Sequence, residues 1–202
     1  MKPSHLHKSI TADLLESSRN MEALATQAAD IEKAALLMVR CLKNGGKILS
    51  CGNGGSAADA QHLAAELSGR FEVDRPGLPA VALTTNASTL TAVANDYDYA
   101  QVFSRQITGL MNEGDVLVTI STSGNSPNVL EAVREAKRHK GIVIGWTGES
   151  GGSLKDVCDV CLRVPHKRTA RVQEGHLAIL HALCGVVETE LFPEKSKAKG
   201  TS

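Results

Sequence analysis

The feature that most narrows the fold is an alternation of short apolar runs with stretches long enough to be helices. The runs are Lys47–Cys51, Ala80–Leu83, Val116–Ile120, Ile142–Trp146 and Val160–Val164. Between them the spacing predicts helices over Ser56–Ser68, Ser88–Asn95, Tyr99–Met111 and Pro127–Lys140, with a last helix over Thr169–Leu191. Strands joined through helices require crossover connections, which places them parallel in one sheet covered on both faces. The expected fold class is α/β, a doubly wound five-stranded parallel sheet with helices on both faces. In such a sheet ligands bind at the carboxyl ends of the strands.

Three segments follow from the same reading. Residues 1–43 form an N-terminal helical segment, in which Leu14, Met21, Leu24, Ala28, Ile31, Ala35, Met38 and Leu42 recur mostly at threes and fours as one long helix or two. Residues 44–192 form the α/β domain, and residues 193–202 a polar tail expected to fray. The chain has 22 Lys plus Arg against 22 Asp plus Glu, so it presents no global basic field and no nucleic-acid partner is expected. No apolar run approaches the roughly 20 residues that span a bilayer, and the start of the chain is polar, so a cytoplasmic protein without a membrane partner is expected. Five scattered cysteines do not suggest a disulfide framework. The motif Cys158-Asp159-Val160-Cys161 overlaps a stretch read as strand, where residues three apart face opposite sides, the wrong geometry for chelating one ion.

Chemistry concentrates in two loops. Gly52-Asn53-Gly54-Gly55-Ser56 follows the first strand and Ser121-Thr122-Ser123-Gly124-Asn125-Ser126 the third, each opening into a helix. Glycine lets backbone N–H groups turn towards an anion, hydroxyls add donors, and a helix N-terminus adds a favourable dipole. No Gly-Lys-Ser/Thr follows the first loop, which excludes a Walker motif. Gly52-x-Gly54-x-x-Ala57 satisfies a loose dinucleotide fingerprint, but the acidic residues Glu72 and Asp74 fall in an apparent loop instead of closing a second strand. A ligand with a single phosphate, such as a sugar phosphate, fits better.

His62 and Glu66 stand four apart on the helix leaving the first loop, a spacing that suits a metal pair and equally an exposed helical pair. On the last helix Gln173, Glu174, His176 and His181 interrupt an apolar surface. Gln173 and His181 are separated by about 12 Å of rise and about 80° of rotation, so spacing alone selects His176 as the neighbour of Gln173. His139 and His166 are expected in solvated positions, and Trp146 in packing.

Taken in order, Gly52–Ser56, Asp59-Ala60-Gln61-His62 with Glu66, Asn95-Asp96, Ser121–Ser126, and Ala170-Arg171-Val172-Gln173-Glu174 with His181 resemble the sedoheptulose 7-phosphate isomerases of the sugar isomerase (SIS) domain family. The resemblance runs from about Asn44 to Phe192. It implies a homotetramer with active sites between subunits, which converts sedoheptulose 7-phosphate to D-glycero-D-manno-heptose 7-phosphate for nucleotide-activated heptose and lipopolysaccharide synthesis. It implies zinc held by His62, Glu66, Gln173 and His181, with Glu66 and His181 catalytic. Phosphate would lie at Ser121, Thr122, Ser123 and Ser126, with Asn53, Gly54, Gly55, Ser56, Glu66, Asn95, Asp96 and Gln173 contacting substrate. Ala170 departs from members that carry aspartate there. A related branch associates with the initiator of chromosome replication, and other members sense sugar phosphates. In the initiator-associating branch the positions matching Glu66 and His181 carry residues unsuited to proton transfer, whereas both are intact here.

Overall fold

A computed structural model of the chain describes residues 4–199. The outermost parts of the N-terminal segment and of the tail, 1–3 and 200–202, lie outside the described residues. The N-terminal segment is two helices, α1 (His5–Leu24) and α2 (Ala28–Lys43), joined by a 3-10 turn at Ala25–Gln27. Ser4 caps α1, its hydroxyl accepting from the His7 N–H at 3.1 Å. The domain continues as β1 (Ile48–Gly52), α3 (Gly55–Ser68), β2 (Ala80–Ala82), α4 (Ala87–Asp96), α5 (Ser104–Leu110), β3 (Val116–Ile120), α6 (Pro127–Arg138), β4 (Ile142–Thr147), β5 (Val160–Arg163) and α7 (Thr169–Leu191). The expected helix over 99–111 is instead a 3-10 turn at Tyr99–Gln101 followed by α5. The tail forms α8 (Pro193–Lys199), and Lys195 Nζ donates to the Asp74 carbonyl at 2.5 Å.

All five strands are parallel, in the order β2-β1-β3-β4-β5. The chain turns to one side after β1 and to the other from β3, so the two loops that follow these strands flank the point where the winding reverses. Strand side chains divide by parity. Ile48, Val116, Val118, Ile120, Ile144 and Trp146 pack with α2, α3 and α7 on one face, while Leu49, Cys51, Leu117 and Val143 pack with α5 and α6 on the other. Trp146 is fully buried, as its packing role requires. The helix α1 docks on α7 through Asn20 Nδ2, which donates to the Arg171 carbonyl at 2.8 Å, and Ser17 Oγ, which donates to Glu174 at 2.7 Å. Its other face leaves Leu6, Ile10 and Leu14 exposed.

Two expectations about side chains change. Cys158 lies in a bend before β5, so strand alternation does not reach it. Its Sγ and that of Cys161 stand 2.7 and 3.7 Å from the point a Cβ on Gly145 would occupy, both on one side of the sheet. Burial, and then the neighbouring Cys161, push the Cys158 thiol up to about 12, which leaves it an unreactive packing group. His139 and His166 are also not simply solvated: His139 Nε2 lies 3.3 Å from Glu135, and His166 lies 3.4 Å from Glu16 while its Nδ1 accepts from the Arg168 N–H.

A buried ion pair closes the domain. The Glu188 carboxylate, on α7, accepts from the backbone N–H groups of Phe71, Glu72 and Val73 at 3.0, 2.9 and 3.1 Å and from Arg75 Nε at 2.9 Å. Burial alone would raise its pKa, but these donors outweigh it and hold the carboxyl below the ordinary range. A depressed pKa gives stability that is complete above the unfolded value of about 4.3 and is lost as pH falls through the folded one. Glu188→Ala is therefore expected to lose about 3–5 kcal/mol at neutral pH, because it leaves the buried Arg75 guanidinium without its counter-charge. In urea unfolding at pH 7 and pH 3, the gap between wild type and variant should narrow at the lower pH.

Candidate active site at the carboxyl edge of the sheet

The first loop is shaped by three glycines for different reasons. Gly54 has φ +55 and precedes α3, a conformation side chains rarely adopt. A Cβ on Gly52 would lie 2.7 Å from the Ser56 carbonyl. A Cβ on Gly55 would lie 2.1 Å from Gln173 Nε2, so this glycine lets α7 bring an amide onto the loop. Ser56 is buried at the start of α3, and Asn53 turns its carboxamide towards Asn128 on α6.

In the second loop three of the expected hydroxyls converge. Ser121 Oγ lies 3.0 Å from Ser126 Oγ and 3.4 Å from Ser123 Oγ, and Ser126 spends no side-chain bond on capping α6. The N-terminus of α6, which has no side-chain cap, and these hydroxyls have the composition and placement of an anion cradle. Thr122 contributes its carbonyl, which accepts from Gly148 N–H at 3.0 Å. Around it residues 148–154 form a brace: Leu154 N–H donates to the Gly124 carbonyl at 3.0 Å and Ser153 N–H to Asn125 Oδ1 at 2.9 Å. A Cβ on Gly124 would meet the Gly151 carbonyl at 2.1 Å, which is why this position is glycine at φ +68.

The third part is the groove between α3 and α7, which run side by side in the same direction, Gln173 beside Gly55 and His181 beside His62. His62 Nε2 is 2.8 Å from Glu66 Oε1, and the His181 ring meets His62 edge-on at 5.3 Å. One ligating atom from each of His62, Glu66 and His181 lies within 4.8 Å of the others. Two imidazoles and a carboxylate form a donor set suited to a divalent ion such as zinc, so the residues fit the metal that the resemblance implies. The spacing argument for His176 does not hold. That residue is buried on the opposite side of α7 with Nε2 3.2 Å from the Thr147 carbonyl, and burial lowers its pKa to about 4, which keeps it neutral. Among the remaining expected contacts, Asn95 and Asp96 are exposed at the end of α4 and bond to each other at 2.9 Å, and Asp96 is not part of the His62, Glu66 and His181 group. Ala170 is exposed in the first turn of α7.

Two neighbours complete the groove, Phe71, which nothing in the sequence marks, and Asp59, which belongs to the Asp59-Ala60-Gln61-His62 motif but was given no role there. Phe71 stacks on His181 with centroids 5.6 Å apart and planes at 21°. Asp59, one turn before His62, has Oδ2 buried without a hydrogen-bond partner, and burial above all raises its carboxyl to about 6. Phe71 bears no spacing signal, since its loop is held to α7 by backbone N–H bonds to Glu188, whereas Asp59 shares α3 with His62 and Glu66.

The doubly wound parallel sheet with a serine-rich loop after β3 is that of a SIS domain, whose family model matches residues 15–148. Phosphoheptose isomerases of Burkholderia pseudomallei and Aromatoleum aromaticum are 50% and 55% identical to the chain, each alignment covering 91% of this chain and 94% of the relative. The solved phosphoheptose isomerase of Neisseria gonorrhoeae superposes with a TM-score of 0.87 at 48% identity, covering 91% of this chain and 99% of that one. The chain belongs to the phosphoheptose isomerase family.

Gly55→Ala tests the groove. Gly55 lacks the positive φ that would penalise alanine, so the melting temperature should stay within about 3 °C. Displacement of Gln173 by the new methyl should lower turnover about 10- to 100-fold. Stability and kcat measured on the same preparation check both.

Proposed function

We propose that this protein is an aldose-ketose isomerase that converts D-sedoheptulose 7-phosphate to D-glycero-D-manno-heptose 7-phosphate, the first step of nucleotide-activated heptose synthesis. The observation that carries the reading is the meeting of Glu66 and His181 from separate helices beside two anion-type loops. Isomerisation through an enediol needs one group for the carbon-bound proton, one for the oxygen-bound proton, and a hold on the phosphate that keeps both in register. Glu66 removes the proton from C1 of the ketose and returns it to C2. His181 moves the proton between the two oxygens, and the stacked Phe71 limits the tilt of its ring. The hydroxyls of Ser121, Ser123 and Ser126, the N-terminus of α6 and Thr122 hold the phosphate. The first loop, with Asn53, Gly54, Gly55 and Ser56, together with Gln173, Asn95 and Asp96, contacts the sugar.

His62, Glu66, Gln173 and His181 would hold zinc in this reading. Bound there, the metal supplies Lewis acidity to the substrate oxygens. A homotetramer with sites shared between subunits is supported by the apolar face that α1 leaves exposed at Leu6, Ile10 and Leu14. Among the described residues no helix is long and apolar enough to cross a membrane. The proposed setting is the cytoplasm, with the product directed to lipopolysaccharide. Association with the replication initiator would need no acid-base pair and leaves the convergence of Glu66 and His181 without a purpose.

Incubation with sedoheptulose 7-phosphate, followed by NMR, should show the aldose forming. Glu66→Gln and His181→Gln should each lower kcat by about 10²- to 10⁴-fold. Metal analysis should find zinc in wild type and its loss in His62→Ala. Folded, zinc-loaded wild type without turnover would overturn the reading.

A further inference from the structure

Asn53 belongs to the first loop, but its side chain is committed elsewhere. Its Nδ2 donates to Asn128 Oδ1 at 2.9 Å, and Asn128 Nδ2 donates back to Asn53 Oδ1 at 2.8 Å. The Tyr99 hydroxyl adds a third bond, donating to the same Asn53 Oδ1 at 3.2 Å. Asn128 is the second residue of α6 and is 2% exposed, whereas Tyr99 is 58% exposed. The three residues come from the first loop, the helix leaving the anion cradle, and the turn that follows Asn95 and Asp96. The first loop carries expected substrate contacts and the other two segments directly follow them, and the Asn53 carboxamide is where the three meet.

We propose that Asn128, assisted by Tyr99, is a positioning residue of the isomerase site that acts through Asn53; the proposal rests on the isomerase reading above. Two opposed hydrogen bonds between carboxamides fix orientation as well as distance, since either amide would have to break both to rotate. Both lone pairs of Asn53 Oδ1 are used, by Asn128 and by Tyr99. One Nδ2 proton remains. Asn53 therefore meets a ligand only as a donor, and what it recognises is an acceptor oxygen of the sugar phosphate. A small cavity lined by Asn53, Asp98, Tyr99, Ser126 and Asn128 lies beside this group, so the paired amides stand at the wall of open space and not within the core. Without Asn128 the carboxamide is free to turn its acceptor outward, and the first loop loses its tie to the phosphate cradle.

The test compares wild type, Asn128→Ala, Tyr99→Phe, Asn53→Ala and the Asn53→Ala/Asn128→Ala double variant with sedoheptulose 7-phosphate. Asn128→Ala removes two hydrogen bonds and should raise KM about 30-fold, and Tyr99→Phe, which removes one from an exposed ring, about fivefold. In both, kcat should change less than about threefold, because neither residue touches Glu66 or His181. The double variant should be no worse than the weaker single, since the two amides act as one unit. An Asn128→Ala protein with a lowered melting temperature but an unchanged KM, beside an active wild type, overturns this proposal alone. Additive losses in the double variant, or a Tyr99→Phe KM equal to wild type, also overturn it. Absence of turnover in wild type overturns the isomerase reading and this proposal with it.

Discussion

The site depends on how closely α3 and α7 approach each other. Two helices that run in the same direction can bring matching turns together along their whole length, but only if nothing bulky separates them at the start. Gly55 supplies that freedom on α3, where any side chain would overlap the Gln173 amide. On α7, Gly175 does the same against the sheet: a Cβ there would lie 2.6 Å from both methyls of Val164. With both contacts made, Gln173 reaches the first loop and His181 reaches His62 and Glu66 two turns further on. The ionisable groups thus meet because of helix spacing, and the glycine and serine loops lie at the same end because β1 and β3 are parallel neighbours, with a crevice between them where the winding reverses.

The buried Glu188 and Arg75 pair connects stability to this geometry. A carboxylate removed from water is costly unless its lone pairs are filled, and here three backbone N–H groups and a guanidinium fill them. Those bonds bend residues 71–73 around the end of α7, and that bend places Phe71 flat against His181. Arg75 carries the effect back to α3 by donating to the Glu66 and Leu67 carbonyls, both at 2.7 Å. A polar cluster that looks structural therefore orders the loop over one of the proposed proton-transfer groups and the helix that carries the other.

Much of the fold was legible in the sequence because its determinants are local. Five apolar runs separated by helix-length stretches leave few arrangements, and glycine and hydroxyl residues at strand ends mark where an anion can sit. Pairing over long sequence distances was less legible. Helix spacing preferred His176 because rotation was measured within α7 alone, while the position of α3 decides which face becomes the site. Cys158 was assigned to a strand that begins only at Val160. The brace at 148–154, the stacking of Phe71 and the amide pair of Asn53 with Asn128 join segments whose residue types give no hint of one another. The helix α8 was missed for a related reason: its polar composition suits a loose end as well as a short helix that Lys195 ties to Asp74.

The central claim is that two side chains exchange a proton with an enediol, and isomerisation in D₂O tests it most directly. After several turnovers at equilibrium, NMR should find deuterium from solvent at C2 of the aldose and C1 of the ketose, with Glu66→Gln slowing the exchange along with turnover. Sugars that interconvert repeatedly with all their carbon-bound hydrogen retained, and as fast in Glu66→Gln as in wild type, would contradict the account, since the hydrogen would then pass between the two carbons without the Glu66 carboxylate.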